Sequence, residues 1–269
     1  MTQTITFVPF EPHHIPGAVR LSRQAGWPHR AEDWDFTLRV SSGVVALRDE
    51  AVVGTALCSA FGQETRINMI IVDEAARGQG LGRRLMQAVM VIAAGRRMGL
   101  IATADGLPLY RKLGFVEVGQ VAQYQGIVGT LPAAAMAVRR VGADDLAAIC
   151  AMDRNATGTD RGAMIARLLE TGTLWRTEDG YAALRDFGRG QAVGPVIARD
   201  PATAQALIAT AATPGGFLRV DTTTDTGLAP FLQTLDLAHV GGGIVMIHGA
   251  PMTDATDFRI FALTSQALG

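Results

Sequence analysis

The stretch from Ile67 to Gly82 reads Ile-Asn-Met-Ile-Ile-Val-Asp-Glu-Ala-Ala-Arg-Gly-Gln-Gly-Leu-Gly and decides the fold. Its first part is rich in β-branched and apolar residues, which predicts a buried strand. The Arg-Gly-x-Gly-x-Gly turn that follows opens a helix, because apolar residues then recur at three- and four-residue spacings. Glycines let several backbone N–H groups converge, and a helix N-terminus adds unpaired donors. The pattern therefore predicts an anion site for a phosphate ester.

Two better-known phosphate motifs fit this turn poorly. No Lys-Ser or Lys-Thr follows the last glycine, as a Walker loop requires. A dinucleotide fingerprint places its first glycine directly after the strand and an acidic residue about 20 positions further on, and Gly99 to Thr103 offers none. Arg77, immediately before the first glycine, is the distinguishing residue.

The segments downstream complete a known order of elements. Gly99 to Thr103 predicts the next strand, and Leu107 to Leu113 predicts a short helix that is entered through Gly106 and ends at Gly114. Strand, Arg-Gly-Gln-Gly-Leu-Gly turn, helix, strand and Leu-Tyr-Arg-Lys-Leu-Gly-Phe together resemble the GCN5-related N-acetyltransferase (GNAT) superfamily over residues 5–125. The resemblance implies an α/β fold with a mixed sheet whose central strands are splayed.

The resemblance also implies acetyl-CoA as the co-substrate. In this family the turn binds the CoA diphosphate through backbone amides, and the preceding strand pairs its backbone with the pantetheine arm. The residues that carry over to this donor site are Ile70, Ile71, Val72, Arg77, Gly78, Gln79, Gly80, Leu81 and Gly82. The family's tyrosine that protonates the departing thiolate corresponds to Tyr110. The general base stays open, because this chain has Asn68 and Met69 on the strand where some relatives have a Glu.

The acceptor site is predicted between the first strand and the first hairpin, where this family usually recognises its acceptor. Trp27, His29 and Trp34 are candidates, because aromatic edges make good walls for a small ligand. Packing of the two tryptophans against the sheet is the alternative interpretation. Asp33, Asp153 and Asp160 are candidate carboxylates for a cationic amine. The sequence does not choose among a polyamine, an amino acid, an aminoglycoside and a protein amine.

The 269 residues exceed one such domain about twofold, which predicts two domains. Gly126 to Ala137 has the small-residue composition of a connector. After it the order of strands and helices repeats. We therefore expect a catalytic, acyl-CoA-binding GNAT domain over residues 1–130 and a degenerate GNAT-like domain over residues 137–269 that binds the acceptor or forms a lid.

The second copy lacks the donor chemistry of the first. Its turn reads Arg-Asp-Pro-Ala-Thr from Arg199, where Asp200 would repel a diphosphate and no glycine opens the backbone. If Leu113-Gly114-Phe115 is aligned with Leu235-Asp236-Leu237, Leu232 takes the position of Tyr110. We expect donor binding and catalysis in the first copy.

Composition narrows the function classes. A net charge of −1 and the lack of a basic stripe argue against nucleic acid as a partner. Cys58 and Cys150 are too few for a disulfide framework, and the scattered histidines predict no metal site. The N-terminus lacks a leader pattern and no apolar run is long enough for a bilayer, so we expect a cytoplasmic protein with no membrane partner. A homodimer is compatible with the sequence.

Together these features predict an N-acetyltransferase that transfers an acetyl group from acetyl-CoA to a primary amine of a small-molecule acceptor by direct attack. The alternative is a non-catalytic acyl-CoA-binding sensor or regulatory module. Such a module would need Arg77 to Gly82 but would not need Tyr110.

Overall fold

The computed structural model describes residues 4–133, 136–250 and 257–269, and its two halves repeat one order of elements. The first half contains β1 (Ile5–Pro9), α1 (Ile15–Gln24), α2 (Ala31–Arg39), β2 (Ser42–Arg48), β3 (Ala51–Phe61), β4 (Glu64–Val72), α3 (Leu81–Ile92), β5 (Arg97–Ala102), α4 (Leu107–Lys112) and β6 (Val116–Ile127). The second half contains β7 (Arg139–Arg140), α5 (Leu146–Thr157), α6 (Gly162–Thr171), β8 (Gly172–Arg176), β9 (Gly180–Phe187), β10 (Gly190–Ala198), α7 (Pro201–Ala211), β11 (Phe217–Thr223), α8 (Ala229–Thr234), β12 (Ala238–His248) and β13 (Arg259–Ala262). Only β13 lacks a counterpart among the described elements of the first half. The predicted α/β class and the predicted repeat are confirmed.

The strands of the described residues form one mixed sheet across both halves. Their order is β1-β2-β3-β4-β5-β12-β6-β11-β10-β9-β8-β7, and β13 pairs with β10. β12 of the second half thus lies between β5 and β6, and β6 of the first half lies between β12 and β11. The halves therefore exchange their last long strands. The domain boundary between residues 130 and 137 stays a prediction. Each half needs a strand of the other half to complete its part of the sheet.

Helices cover both faces of the first half of the sheet. α1 and α2 pack over a core that includes Trp34 and Leu57, whereas α3 and α4 pack over a core that includes Leu85 and Cys58. Leu57 and Cys58 are neighbours in β3 and enter opposite cores, as expected for a strand that is buried on both faces. Phe61 of β3 joins a core of the second half, so the two halves also share apolar packing.

The helix expected after the glycine turn is α3. It buries Leu85 and Val89 while Arg83, Arg84 and Gln87 face solvent, so the helical spacing read from the sequence is confirmed. With 12 residues it is among the longest helices of the described ranges, none of which is long and apolar enough to cross a membrane.

The parallel strands β4 and β5 separate after a short paired stretch. They pair only over Glu64–Arg66 and Arg97–Gly99. Met69 has a φ of +52°, and the register between β3 and β4 shifts beside it. This is a β-bulge, which bends the strand away from its neighbour. The predicted splay of the central strands is confirmed, and it opens a cleft along the second part of β4.

Candidate active site

The glycine turn forms an open cradle at the start of α3. Gly78 and Gly80 have φ values of +76° and +73°, which favour glycine over residues with a Cβ. A Cβ built on either glycine meets no atom within 4 Å, so the space in front of the turn is open. Gly80 is the N-cap residue and offers no side-chain cap, which leaves the first N–H groups of α3 without an intrahelical partner. Such donors suit a diphosphate.

The other residues of the turn hold the cradle in place. Arg77 is exposed, donates from Nε to the Val72 carbonyl at 3.4 Å, and lies 4.0 Å from the Glu74 carboxylate. The Gln79 amide lies 3.5 Å from the Ala75 carbonyl. The side chain of Leu81 is buried at 2% exposure, so only its backbone N–H can serve a ligand.

The edge of β4 that faces the cleft carries free backbone groups. The Asp73 N–H donates to the Val53 carbonyl on β3 at 2.9 Å. Because successive residues of a strand point their peptide groups in alternate directions, Ile71 also faces β3, whereas Ile70 and Val72 face the cleft. Of the three predicted strand residues, the structure therefore leaves two with backbone groups toward the cleft. The Ile71 side chain is also buried, so a direct contact of this residue with a ligand is not supported.

Tyr110 lies in α4 and lines a cavity. Its ring packs edge to face on Phe115, with the centroids 6.2 Å apart. Burial raises the pKa of Tyr110 to about 12, and the described residues provide no hydrogen-bond partner for its hydroxyl. Gly106 makes room for the ring, because a Cβ there would lie 2.7 Å from the Tyr110 Cε2 atom. The hydroxyl is therefore protonated near neutral pH and available to a ligand.

The cavity has a volume of about 470 Å³ and takes its walls from both halves of the chain. Its first-half residues include Ile70, Tyr110, Trp27 and His29, so the structure brings these four predicted site residues together. Its second-half residues include Phe187, Phe217, Arg189, Arg219 and Gln266.

His29 is neutral near neutral pH. Burial lowers the pKa of this imidazole to about 4, with the nearby cations of Arg219 and Arg185 adding to the effect and Asp33 opposing it. Its ring makes an edge contact with Phe187 at 5.3 Å. Its buried Nδ1 atom has no hydrogen-bond partner in the described part of the chain.

Trp34 does not line the cavity. It is fully buried, stacks on Phe10 with centroids 5.6 Å apart and donates from Nε1 to the Ser22 hydroxyl at 3.0 Å. The helical turn of α2 places this side chain inward, so the packing interpretation, rather than the acceptor wall, describes Trp34.

Asp160 also lies away from the cavity. Its carboxylate is exposed, lies 3.3 Å from the Arg154 guanidinium and accepts from the Gly162 N–H at 3.1 Å. The residue occupies the loop between α5 and α6, where solvent and a local arginine satisfy it. The structure therefore does not support Asp160 as an acceptor ligand.

Several residues of the cavity were not assigned a role from the sequence. Asn68 on β4 donates from Nδ2 to the Ser59 hydroxyl at 3.0 Å, while its buried Oδ1 atom has no partner among the described residues. Arg189, Arg219 and Gln266 come from separate segments of the second half. No local motif marks them, because only the shared sheet brings them next to Tyr110.

The described residues of the second half form no comparable donor site. The Asp200 carboxylate accepts from the Thr203 N–H at 2.8 Å and so caps α7. The cleft between β10 and β11 is filled by β13, which pairs with Val196–Ala198, and the next residue, Leu263, donates from its N–H to the Asp221 carbonyl at 2.8 Å. The chain itself thus occupies the position that the first half leaves open.

Comparison with known proteins agrees with this architecture. Two family profiles described as acetyltransferase (GNAT) domain match residues 40–117 and 149–262. The Bacillus subtilis protein named "Uncharacterized N-acetyltransferase YitH" is 30% identical over 280 aligned positions that cover 95% of each chain. A Pyrococcus horikoshii crystal structure covers 100% of this chain and 97% of its own with a TM-score of 0.88 at 18% identity. A tandem GNAT protein from the clavulanic acid biosynthesis pathway covers 93% of this chain and 100% of its own, with a TM-score of 0.62 at 12% identity.

The two structural similarities concern the fold alone, at these identities. The match to the Bacillus protein runs along both chains, and the two profiles fall on the two structural repeats. The chain belongs to the GCN5-related N-acetyltransferase superfamily and is a tandem member whose second half is degenerate.

Proposed function

We propose that this acetyltransferase transfers an acetyl group from acetyl-CoA to a primary amine of a small molecule by direct attack. The observation that carries the proposal is the meeting of three features around one cleft. Ile70 of β4 and Tyr110 of α4 line the cavity, and Gly82 at the start of α3 lies beside Val72 of β4 and Leu109 of α4, so the glycine turn, the free edge of β4 and the Tyr110 helix are neighbours. A glycine turn that only connected a strand to a helix would not need a free strand edge and an unpartnered tyrosine hydroxyl beside it.

Donor binding is assigned to backbone groups of the first half. The N–H groups from Gly78 to Gly82 would bind the diphosphate, and those of Ile70 and Val72 would pair with the pantetheine amides. The donor residues fit these groups chemically, since the cradle supplies uncapped N–H donors and the strand edge supplies both donors and acceptors. Side chains contribute little here beyond the charge of Arg77.

Tyr110 is assigned the role of general acid. Acetyl-CoA supplies a thioester, whose C–S bond breaks as the amine nitrogen forms the new C–N bond, and the departing thiolate takes up a proton. The Tyr110 hydroxyl holds a proton at neutral pH because its pKa is raised to about 12. No carboxylate of the described residues lines the cavity, so we assign removal of the amine proton to water.

The cavity favours a small acceptor. Its volume of about 470 Å³ lies within the range of roughly 300–1,000 Å³ that is typical of small-molecule pockets. Walls from both halves enclose it, and the aromatic side chains of Trp27 and Phe187 offer apolar surface next to polar groups.

A thiol-release assay with acetyl-CoA and a panel of primary amines tests the proposal. We expect amine-dependent release of CoA above the rate of hydrolysis, together with an acetylated product of matching mass. Calorimetry with acetyl-CoA and desulfo-CoA, run beside the assay, identifies the alternative. Tight binding of the donor with no release in the presence of any amine would favour the acyl-CoA sensor over the enzyme.

A further inference from the structure

The cavity that Tyr110 lines receives positive charge from residues of the second half. Its charged side chains are Arg189 and Arg219, and no Asp or Glu of the described residues lines it. His29, the other titratable base on the wall, is neutral near neutral pH, since burial lowers its pKa to about 4. A ligand in this cavity therefore meets cations with no facing carboxylate.

Arg219 is held in one orientation with a donor to spare. It is 8% exposed, and its Nε and Nη2 atoms donate to the two oxygens of Asp221 at 2.9 and 3.1 Å. Gln266 donates to the same carboxylate at 2.9 Å. Asp221 itself does not line the cavity, and Nη1 of Arg219 has no hydrogen-bond partner among the described residues. A fixed guanidinium with free N–H groups is a typical carboxylate ligand.

Arg189 adds an uncompensated charge at the same wall. Its side chain is exposed and has no ion-pair partner in the part of the chain that the structure describes. Arg219 forms an ion pair with Asp221, whereas Arg189 forms no ion pair with any described residue. The field at this wall thus attracts an anion and repels a second cation.

Two of the carboxylates considered for a cationic acceptor, Asp33 and Asp153, are already bound to other partners. Asp33 is buried, accepts from the Arg30 side chain at 3.1 Å and from the Gly188 N–H at 3.1 Å. Asp153 is buried and accepts from Arg161 at 2.6 and 2.9 Å. Neither lines the cavity. A polyamine or an aminoglycoside would find no counter-ion for its additional ammonium groups among the described residues that line the cavity.

Aromatic side chains line part of the cavity. The guanidinium carbons of Arg185 and Arg219 lie 4.8 and 5.0 Å from the centroid of the Phe187 ring. Trp27 and Phe217 line the same cavity. An aliphatic or aromatic group next to these rings would bury apolar surface there.

From these contacts we infer that the acceptor is an amino acid, whose carboxylate binds Arg219 and Arg189, whose apolar part packs on Trp27 and Phe187, and whose amine is acetylated. This inference rests on the proposed function and names the substrate class of that site. The reaction remains the acyl transfer described above, with the amine nitrogen forming the new bond.

Matched pairs of amines that differ only in a carboxylate test the inference. Suitable pairs are phenylalanine with 2-phenylethylamine, leucine with 3-methylbutylamine, and 6-aminohexanoate with pentylamine, each compared per concentration of neutral amine at the assay pH. We expect the acid of at least one pair to have a kcat/KM at least about tenfold higher than its partner. O-phosphoethanolamine and ethanolamine form a separate pair for a phosphate as the anion.

Substitution of the exposed arginine links any preference to this wall. R189Q should lower kcat/KM for the preferred acid about tenfold or more, mainly through KM, and leave its decarboxylated partner within about twofold. R189K should keep most of the preference. Arg48 lies at the end of β2 and has no place in the site, so R48Q is the control for loss of one positive charge, and it should alter neither substrate.

The outcomes separate the inference from the function on which it rests. If amines are acetylated but no acid exceeds its partner, or if R189Q slows both partners equally, the amino-acid assignment is wrong and the acetyltransferase assignment stands. Preference for O-phosphoethanolamine over every carboxylate would also overturn the amino-acid assignment. If no amine of the panel releases CoA while calorimetry detects donor binding, the proposed function fails and the inference fails with it.

Discussion

Substitution of Tyr110 by Phe removes one hydroxyl from the site and no protein hydrogen bond. The described residues provide no partner for this hydroxyl, and the ring contact with Phe115 survives the change. The free energy of unfolding should therefore change by less than about 1 kcal/mol. The melting temperature should move by no more than about 4 °C, which differential scanning calorimetry can measure.

The rate should fall far more than the stability does. Loss of a positioned general acid predicts a decrease in kcat of about 10- to 1,000-fold, equivalent to about 1.4–4 kcal/mol in activation free energy. The affinity for acetyl-CoA should stay nearly constant, because backbone groups of the cradle and of β4 are assigned to the donor. Steady-state thiol release measures the rate, and calorimetry with a non-reactive donor measures the affinity.

The pH dependence adds a second criterion. Tyr110 acts while it is protonated, and with a pKa of about 12 it keeps its proton throughout the usual assay range. The ratio of wild-type to variant rates should therefore be constant between about pH 6 and about pH 10. Tyr124 is also buried but does not line the cavity, so Y124F is the matched control and should retain activity. An unchanged kcat in Y110F, or a rate ratio that collapses below pH 10, would refute the reasoning.

Three further predictions concern the glycine cradle, the strand exchange and the closed cleft of the second half. G80D should weaken CoA binding at least about 100-fold in calorimetry, because it introduces a carboxylate at the cradle at a φ of +73°, and an unchanged affinity would contradict the cradle assignment. The fragment 1–130 should show no cooperative thermal transition, since β12 is missing between β5 and β6, whereas a folded monomeric fragment would show that the exchange is dispensable. D200G should leave the stoichiometry at one CoA per chain, because β13 still fills the second cleft, and a stoichiometry of two would contradict that role of β13.

The local geometry of the proposed donor site could be predicted from the sequence because its elements are contiguous. A glycine turn, its helix and the preceding strand are contiguous, so their mutual placement follows from short-range geometry. Gly78 and Gly80 indeed adopt the left-handed φ values that the motif requires. Tyr110 follows in the next strand-and-helix unit, which the same parallel topology places beside the cleft.

The lining of the cavity proposed for the acceptor could not be predicted with the same accuracy, because it depends on long-range packing. Trp27 and Trp34 are only seven residues apart, yet one lines the cavity and the other is fully buried. Which of them faces a ligand depends on where α2 begins and on how it packs against Phe10. Asp160 was considered for its charge alone, and the loop that holds it points to solvent.

The strand exchange was not visible in the sequence at all. A repeat of two similar halves predicts two similar sheets, and the pattern of each strand is the same whether its neighbour comes from its own half or from the other half. The exchange depends on the pairing of β6 with β12, whose paired residues lie more than 100 positions apart in the chain. Arg219 and Gln266 reach the Tyr110 cavity only because of this pairing and the path of β13.

β13 and the segment that follows it explain two properties of the second half. They close its own cleft, and they contribute to the cavity beside Tyr110. β13 fills the cleft that a pantetheine arm would need, and the chain then continues through Ser265, Gln266 and Ala267, which line the cavity of the first half. Gln266 also donates to Gln123 at 3.1 Å, so this segment connects β6 to the Asp221 carboxylate that orients Arg219. A second half that still bound CoA would have to displace β13 and with it this wall. We therefore propose that the degenerate half supplies the acceptor-binding part of one composite site.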